Sequence, residues 1–135
     1  MPAPRTPLLT ADAVILDPAR GVVLIRRGHE PFRGMWALPG GFVEVGEPTD
    51  AACRREAHEE TGLEVETVQL LGVYSDPGRD PRGHTVSAIY LCRVAGGELA
   101  GGDDATEARW FATIEGIDLA FDHGRVLADA GVIKS

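Results

Sequence analysis

The most informative part of this chain is residues 41–63, which run GFVEVGEPTDAACRREAHEETGL. The glycine pair at 40–41 is incompatible with a helix and allows the backbone to approach a ligand closely. Pro48 suits the first turn of a helix, and Gly62 suits a C-terminal cap. The sequence therefore predicts a glycine-rich loop followed by a helix over 47–61.

Three glutamates, Glu56, Glu59 and Glu60, share one face of that predicted helix because they follow the i, i+3, i+4 spacing. Like charges at this spacing destabilise a helix by roughly 0.2–0.5 kcal/mol per pair. The last helical turn also favours cations over anions. A divalent cation such as Mg²⁺ or Mn²⁺ would remove both penalties, because these ions prefer carboxylate oxygens. For the triplet alone, a solvated acidic face is the alternative interpretation.

Nine spaced positions match a known pattern, Gly41-x5-Glu47-x7-Arg55-Glu56-Ala57-x-Glu59-Glu60-x-Gly62-Leu63. This segment resembles the signature of the Nudix hydrolases, with Ala57 as the smaller option at an aliphatic position. The resemblance implies an α/β (α+β) protein, a Nudix-type α/β/α sandwich with a mixed central β-sheet. It also implies metal-dependent cleavage of the diphosphate in a nucleoside diphosphate linked to another moiety.

The resemblance assigns roles to the matching positions. Glu56 and Glu60 are implied as the principal metal ligands, and Glu59 as a further ligand, directly or through water. The Gly40 carbonyl would complete the ligand shell. Arg55 is implied to orient the glutamates by pairing with them. The cofactor would be Mg²⁺ or Mn²⁺, with more than one ion per active site.

The general base is open at this point. Family members use either the first glutamate of the acidic cluster or a carboxylate from a loop near the C-terminal strand. Glu56 and Glu59 are the catalytic candidates in the helix. In the loop over 101–107, Glu107 is the first candidate and Asp104 the second, with an exposed acidic loop as the alternative.

The stretch over 72–87 resembles the corresponding part of prokaryotic ADP-ribose pyrophosphatases, which implies ADP-ribose as substrate and AMP and ribose 5-phosphate as products. Arg79 and Arg82 could bind a diphosphate or a ribose through bidentate hydrogen bonds. The alternative is a turn in which these arginines pair with Asp76 or Asp80.

Four further residues are candidates for contact with the substrate. Arg26 and Arg27 end a predicted strand, so one could reach a phosphate while the other faces solvent. Trp36, like Phe32, could stack on adenine, or these aromatics could anchor the loop to the core.

Two other functions compete with this interpretation. One stays within the family and hydrolyses nucleoside triphosphates such as oxidised dGTP. The other is a non-catalytic Nudix module that senses a nucleotide, although such modules commonly lose glutamates that are all present here.

Strands outside the signature are predicted at 10–16, 22–25, 63–74, 84–94 and 109–111. The first two form a hairpin. Residues 28–41 form a loop, and the glycines at 96–97 form a turn. Helix periodicity over 117–133 predicts a second helix, with core positions at Leu119, Val126, Leu127 and Ala130.

Composition sets the broad class. The 135 residues suit one domain, 1–135. The net charge of −8 disfavours binding to nucleic acid or an anionic membrane surface. With no long apolar run and no secretory signal, we expect a cytoplasmic protein acting on a small molecule. The family resemblance adds a homodimer. Cys53 and Cys92 are expected to be buried thiols, because their spacing fits no metal or redox motif.

Overall fold

The structure is a computed structural model that describes residues 2–102 and 105–132. The strands in these ranges are β1 (Leu8–Asp17), β2 (Gly21–Arg27), β3 (Trp36–Ala37), β4 (Gly40–Phe42), β5 (Leu63–Tyr74), β6 (Thr85–Gly97) and β7 (Ala105–Phe111). The helices are α1 (Thr49–Thr61) and α2 (His123–Asp129).

Strand β1 lies at the centre of the sheet. It runs parallel to β6 and antiparallel to β2 and β4. Beyond β6 the sheet continues with β5, while β3 and β7 both pair antiparallel with β2. One parallel pairing among antiparallel ones confirms the predicted mixed sheet.

The hydrophobic core lies on both faces of β1, because successive side chains of a strand point to opposite faces. Ala13 packs in a cluster with Cys53 of α1. Val14, the next residue, packs in a second cluster with Leu127 of α2. The two helices therefore cover opposite faces of the sheet, and the predicted α/β/α sandwich is confirmed.

Helix α1 begins two residues later than predicted, because Pro48 has an extended backbone and serves as the N-terminal cap. Its predicted end is confirmed. Gly62 adopts the left-handed conformation with φ of 76° and donates its N–H to the His58 carbonyl over 2.9 Å.

The predicted helix over 117–133 is wrong in its first part, and it also extends past the end of α2 at Asp129. Leu119 instead forms an isolated parallel bridge with Trp36. Ala120 donates its N–H to the Trp36 carbonyl at 2.8 Å, so this apolar segment takes its backbone partners from β3. Phe121 then has a φ of 54°, a conformation that no right-handed helix contains.

Three smaller predictions are corrected by strand pairing. The expected loop over 28–41 contains β3 and the start of β4, because β4 pairs with β1. Strand β7 begins at Ala105 rather than Arg109, since it pairs along β2. The glycines at 96–97 end β6 rather than forming a turn, because they pair with β5.

The two cysteines are buried and free, with their Sγ atoms 3.8 Å apart, as expected of structural thiols. Among the described residues, neither helix is long and apolar enough to cross a membrane.

Candidate active site

Arg55, in the middle of α1, connects the acidic groups of the site. Its guanidinium donates to Glu47 at 2.7 and 2.9 Å, to Glu56 at 2.7 Å and to Glu59 at 3.3 Å. It also donates to the Phe42 carbonyl at 3.1 Å. Hydrogen bonding to Arg55 lowers the pKa of Glu47 to about 2, and the pKa of Arg55 is raised in turn, chiefly by Glu47. One cation thus compensates the crowded anions and joins the helix to the glycine-rich strand.

Glu60 and Glu56 lie against the two glycines of β4. Glu60 is buried, with 6% of its surface exposed, and accepts a hydrogen bond from the Gly40 N–H at 2.7 Å. A Cβ atom at Gly41 would lie 2.6 Å from the Glu56 carboxylate carbon, so a side chain at this position would displace the carboxylate. The missing side chain at Gly41 therefore lets Glu56 approach β4, whereas the Gly40 N–H holds Glu60 there.

A cavity of about 410 Å³ opens in front of these carboxylates. Five acidic side chains line it: Asp12, Glu44, Glu56, Glu60 and Asp80. Five basic or imidazole side chains also line it: Arg27, His29, Arg79, Arg82 and His123. Carboxylates beside guanidinium groups suit an anionic ligand that is bound together with a cation.

The carboxylates fit a hard divalent cation by their chemistry. Among the described residues, no three His, Cys, Asp or Glu side chains come close enough to form a complete metal site. Mg²⁺ is commonly held by one or two carboxylates, with water and substrate phosphates as the other ligands. Glu56 and Glu60 on one cavity wall match that incomplete donor set.

Asp12 is a site residue that the sequence analysis missed. It is buried, accepts a hydrogen bond from the Ser87 hydroxyl and lines the cavity beneath Gly40. Burial raises the pKa of Asp12 to about 6, although the bond from Ser87 opposes the shift. The available signal was an acidic residue in the apolar run around it, Ala11-Asp12-Ala13-Val14.

The structure brings Arg79 and Arg82 to the cavity wall, each paired with a carboxylate. The Arg79 side chain is 4% exposed and forms a bidentate pair with Asp122, with distances of 2.9 and 3.0 Å. Arg82 pairs with Asp80 at 2.8 and 3.1 Å, which is one of the two turn pairs considered from the sequence.

Arg26, Arg27 and Trp36 take different positions. Arg27 lines the cavity, and its Nε donates to the Pro31 carbonyl at 2.6 Å. Arg26 lies over the Trp36 ring at 4.8 Å, away from the cavity lining. Trp36 is 6% exposed and packs edge-to-face on Phe111, so its ring is a core element and not a wall of the cavity.

The candidate bases are also separated. Glu56 lines the cavity, whereas Glu59 and Glu107 do not. The Glu107 side chain is 38% exposed and lies 3.1 Å from Arg109 and 3.7 Å from Arg26. Asp104, the second loop candidate, lies outside the described residues.

His123 serves as a structural acceptor at the cavity floor. Its Nδ1 accepts the Leu38 N–H at 3.0 Å, and burial lowers the pKa of His123 to about 3. A neutral ring that accepts a backbone hydrogen bond is poorly suited to act as a proton donor.

A family model for the NUDIX domain matches residues 6–130 of this chain. Because the match spans most of the sequence, the chain belongs to the Nudix family. The predicted family is therefore confirmed.

Individual members of the family are similar to this chain in sequence or in structure. An ADP-ribose pyrophosphatase of Methanocaldococcus jannaschii is 48% identical over 123 residues, which cover 91% of this chain and 72% of that protein. The NUDIX domain of Shewanella oneidensis NrtR, solved with ADP ribose, has a TM-score of 0.81 at 28% identity, covering 94% of this chain and 88% of that one. A bifunctional NMN adenylyltransferase/ADP ribose pyrophosphatase of Francisella tularensis, solved with AMP and a manganese ion, has a TM-score of 0.82 at 26% identity. That match covers 93% of this chain and 42% of that one.

Proposed function

We propose that this Nudix pyrophosphohydrolase hydrolyses the diphosphate bond of ADP-ribose, giving AMP and ribose 5-phosphate. The family and the 48% identity to an ADP-ribose pyrophosphatase support this reaction. The observation that carries the proposal is that Glu56 and Glu60 line one cavity with three arginines, Arg27, Arg79 and Arg82. Such a cavity can take a diphosphate together with divalent cations.

The proposed cofactor is Mg²⁺ or Mn²⁺, with more than one ion per site. Glu56 and Glu60 would hold it, with the Gly40 carbonyl as a further ligand. Glu59 lies outside the cavity lining, so it would act on the metal only through water. When bound, the metal neutralises phosphate charge and lowers the pKa of the attacking water. Support comes from the oxygen donors of the cavity and from the manganese ion in the Francisella tularensis structure.

The arginines of the site divide into two roles. Arg55 orients the carboxylates, because its guanidinium donates to several of them at once. Arg27 and Arg82 place positive charge on the cavity wall, where it can meet the diphosphate. Arg79 holds the wall itself, because its donors are directed at Asp122 and Thr85.

We assign the proton acceptor for the attacking water to the Glu56 carboxylate. Of the candidate bases among the described residues, Glu56 is the one that lines the cavity. Glu107 keeps a surface role in this proposal, pairing with Arg26 and Arg109.

The proposal also covers the class of ligand, the cellular location and the oligomeric state. The net charge of −8 favours a small nucleotide over nucleic acid as the ligand. We further propose a cytoplasmic homodimer, and sedimentation velocity measures its mass directly.

The deciding experiment compares kcat/KM for ADP-ribose, 8-oxo-dGTP and NADH in excess Mg²⁺, with product identification. ADP-ribose should be preferred by about tenfold or more, giving AMP and ribose 5-phosphate. A preference for the triphosphate would retain the metal site and overturn the substrate. If nothing is hydrolysed while ADP-ribose still binds, the chain is a nucleotide sensor.

Glu60→Gln tests the assignment of Glu60 as a metal ligand. The enzyme should lose most of its turnover and keep its circular dichroism spectrum. Full turnover in this variant would remove Glu60 from the metal site.

A further inference from the structure

Phe42 stands apart from the other aromatic residues of the chain. It is 43% exposed, whereas the other seven Phe, Trp and Tyr residues, which all lie in the described part of the chain, are buried or half-buried. By contrast, Trp36 is buried against Phe111, and Phe121 packs edge-to-face on Phe32 at 4.8 Å. Exposing a large aromatic ring forgoes the gain from burying it, which makes this position a candidate contact for a ligand.

The backbone beneath Phe42 is held firmly. Phe42 pairs with Thr10 of β1, and the Phe42 carbonyl accepts a hydrogen bond from Arg55. Its neighbour Gly41 contacts Glu56, so Phe42 is anchored directly beside the carboxylates of the active site. The ring therefore projects from a paired strand rather than from a loop.

Phe42 also joins two cavities. Besides the active-site cavity, it lines a second cavity of about 660 Å³, and Arg82 and Thr85 are shared by both. The other walls of the second cavity include Arg5, Pro7, Leu8 and His84. Apolar and aromatic surface with basic groups at the edge suits a flat, polar-edged ring attached to a phosphate.

Arg82 would bind the phosphate of such a ligand near the Phe42 ring. Its guanidinium lies 5.5 Å from the centre of the Phe42 ring, and Asp80 holds it there through two hydrogen bonds. A phosphate at Arg82 would lie in the cavity that contains Glu56 and Glu60 and near the Phe42 ring.

We propose that Phe42 and the second cavity form the nucleobase subsite, in which the base of a nucleoside phosphate stacks on the Phe42 ring. This inference rests on the proposed function for the diphosphate position. It places the base outside the cavity that contains Glu56 and Glu60. It also replaces Trp36 and Phe32, for which the sequence left stacking open as one of two alternatives.

The test measures binding of the two products, AMP and ribose 5-phosphate, by titration calorimetry in Mg²⁺ buffer. Phe42→Ala should weaken AMP binding by about tenfold, the loss typical of one base–aromatic stack. It should leave ribose 5-phosphate binding within about twofold. Phe42→Tyr should retain AMP binding, since it keeps the ring. Leu70→Ala is the matched control, because Leu70 is 47% exposed on β5 and lines neither cavity.

Several results would overturn the inference. These are no AMP binding to the wild type, unchanged AMP binding in Phe42→Ala, or equal losses for both products. A halved mass of Phe42→Ala in sedimentation velocity would instead assign the ring to contact with a second copy of the chain. Selective loss of AMP binding in a protein that fails to hydrolyse ADP-ribose would sustain the subsite and refute the proposed reaction.

Discussion

At the scale of single residues, the site depends on how one cation distributes its donors. The Arg55 guanidinium donates hydrogen bonds to Glu47 before the start of α1, to Glu56 in the acidic cluster, and to the Phe42 carbonyl of β4. Charge-assisted hydrogen bonds of this kind are short and strong. They allow carboxylates to stand together at a helix end where the macrodipole disfavours them.

We predict that Glu56→Gln lowers kcat by at least about a hundredfold, because the carboxylate faces the proposed reaction centre. Glu107→Gln is the paired variant, and it should change kcat by less than about tenfold, since Glu107 lies outside the cavity lining. Steady-state kinetics with ADP-ribose checks both. A larger loss in Glu107→Gln would assign the base to Glu107 on β7.

Arg82→Ala should raise KM for ADP-ribose more than it lowers kcat, as loss of equal binding to substrate and transition state requires. Arg54→Ala is the control, because Arg54 also pairs with an aspartate but lies away from the cavity. An unchanged KM in Arg82→Ala would leave Arg82 with only its turn-stabilising pair to Asp80.

At the scale of elements, α1 must end sharply so that β5 can begin at Leu63. A Cβ atom at Gly62 would overlap the Glu98 carbonyl, and the φ of 76° is itself unfavourable for other residues. Gly62→Ala should therefore lower the free energy of unfolding by at least about 2 kcal/mol. Gly46→Ala, with φ of 87° and open space around it, should lose only about 1 kcal/mol. Urea unfolding compares them, and equal losses would exclude the steric contribution.

The contact between α2 and the segment before β4 depends on a neutral His123. Its pKa is lowered to about 3, so it stabilises the fold fully above the unfolded value near 6.5. This contribution is lost as the pH falls from 6.5 towards 3. Asp12, with its pKa raised to about 6, acts in the opposite direction between about 4 and 6.

His123→Asn separates these effects, because asparagine can accept the Leu38 N–H without titrating and Asp12 is unchanged. The wild type should lose more unfolding free energy than the variant between pH 7 and pH 5. Urea titrations at the two pH values provide the measurement. Parallel losses would show that His123 titrates normally in the fold.

At the scale of the whole molecule, different contacts stabilise the hydrophobic core and the acidic site. Two apolar clusters on opposite faces of the sheet stabilise the chain, while Arg55 and the Gly40 N–H hold the carboxylates. EDTA should therefore abolish hydrolysis and leave the melting temperature within a few degrees. Mg²⁺ should restore activity, and activity retained in excess EDTA would refute the metal assignment.

Local pattern was sufficient for much of this architecture. The hairpin, the long strands and α1 could be predicted because alternation, capping residues and the Nudix signature all lie within short stretches of chain. Glu56 and Glu60 belong to the same class, since one helix sets their spacing. The start of the second helix was predicted too early, because apolar periodicity at Leu119 cannot distinguish a helix from a segment that bridges to Trp36.

The walls of the site required the tertiary structure. Asp12, Phe42 and Arg82 meet only because β1 pairs with β4 and β6. Arg79 finds Asp122, 43 residues away, rather than the nearby Asp76. Tertiary packing also determines which aromatic ring is exposed: Trp36 packs on Phe111 in the core, whereas Phe42 lies at the surface. Spacing along a helix is a local property of the chain, whereas strand pairing and burial depend on segments that are distant in sequence, and these determine which side chains can reach the ligand.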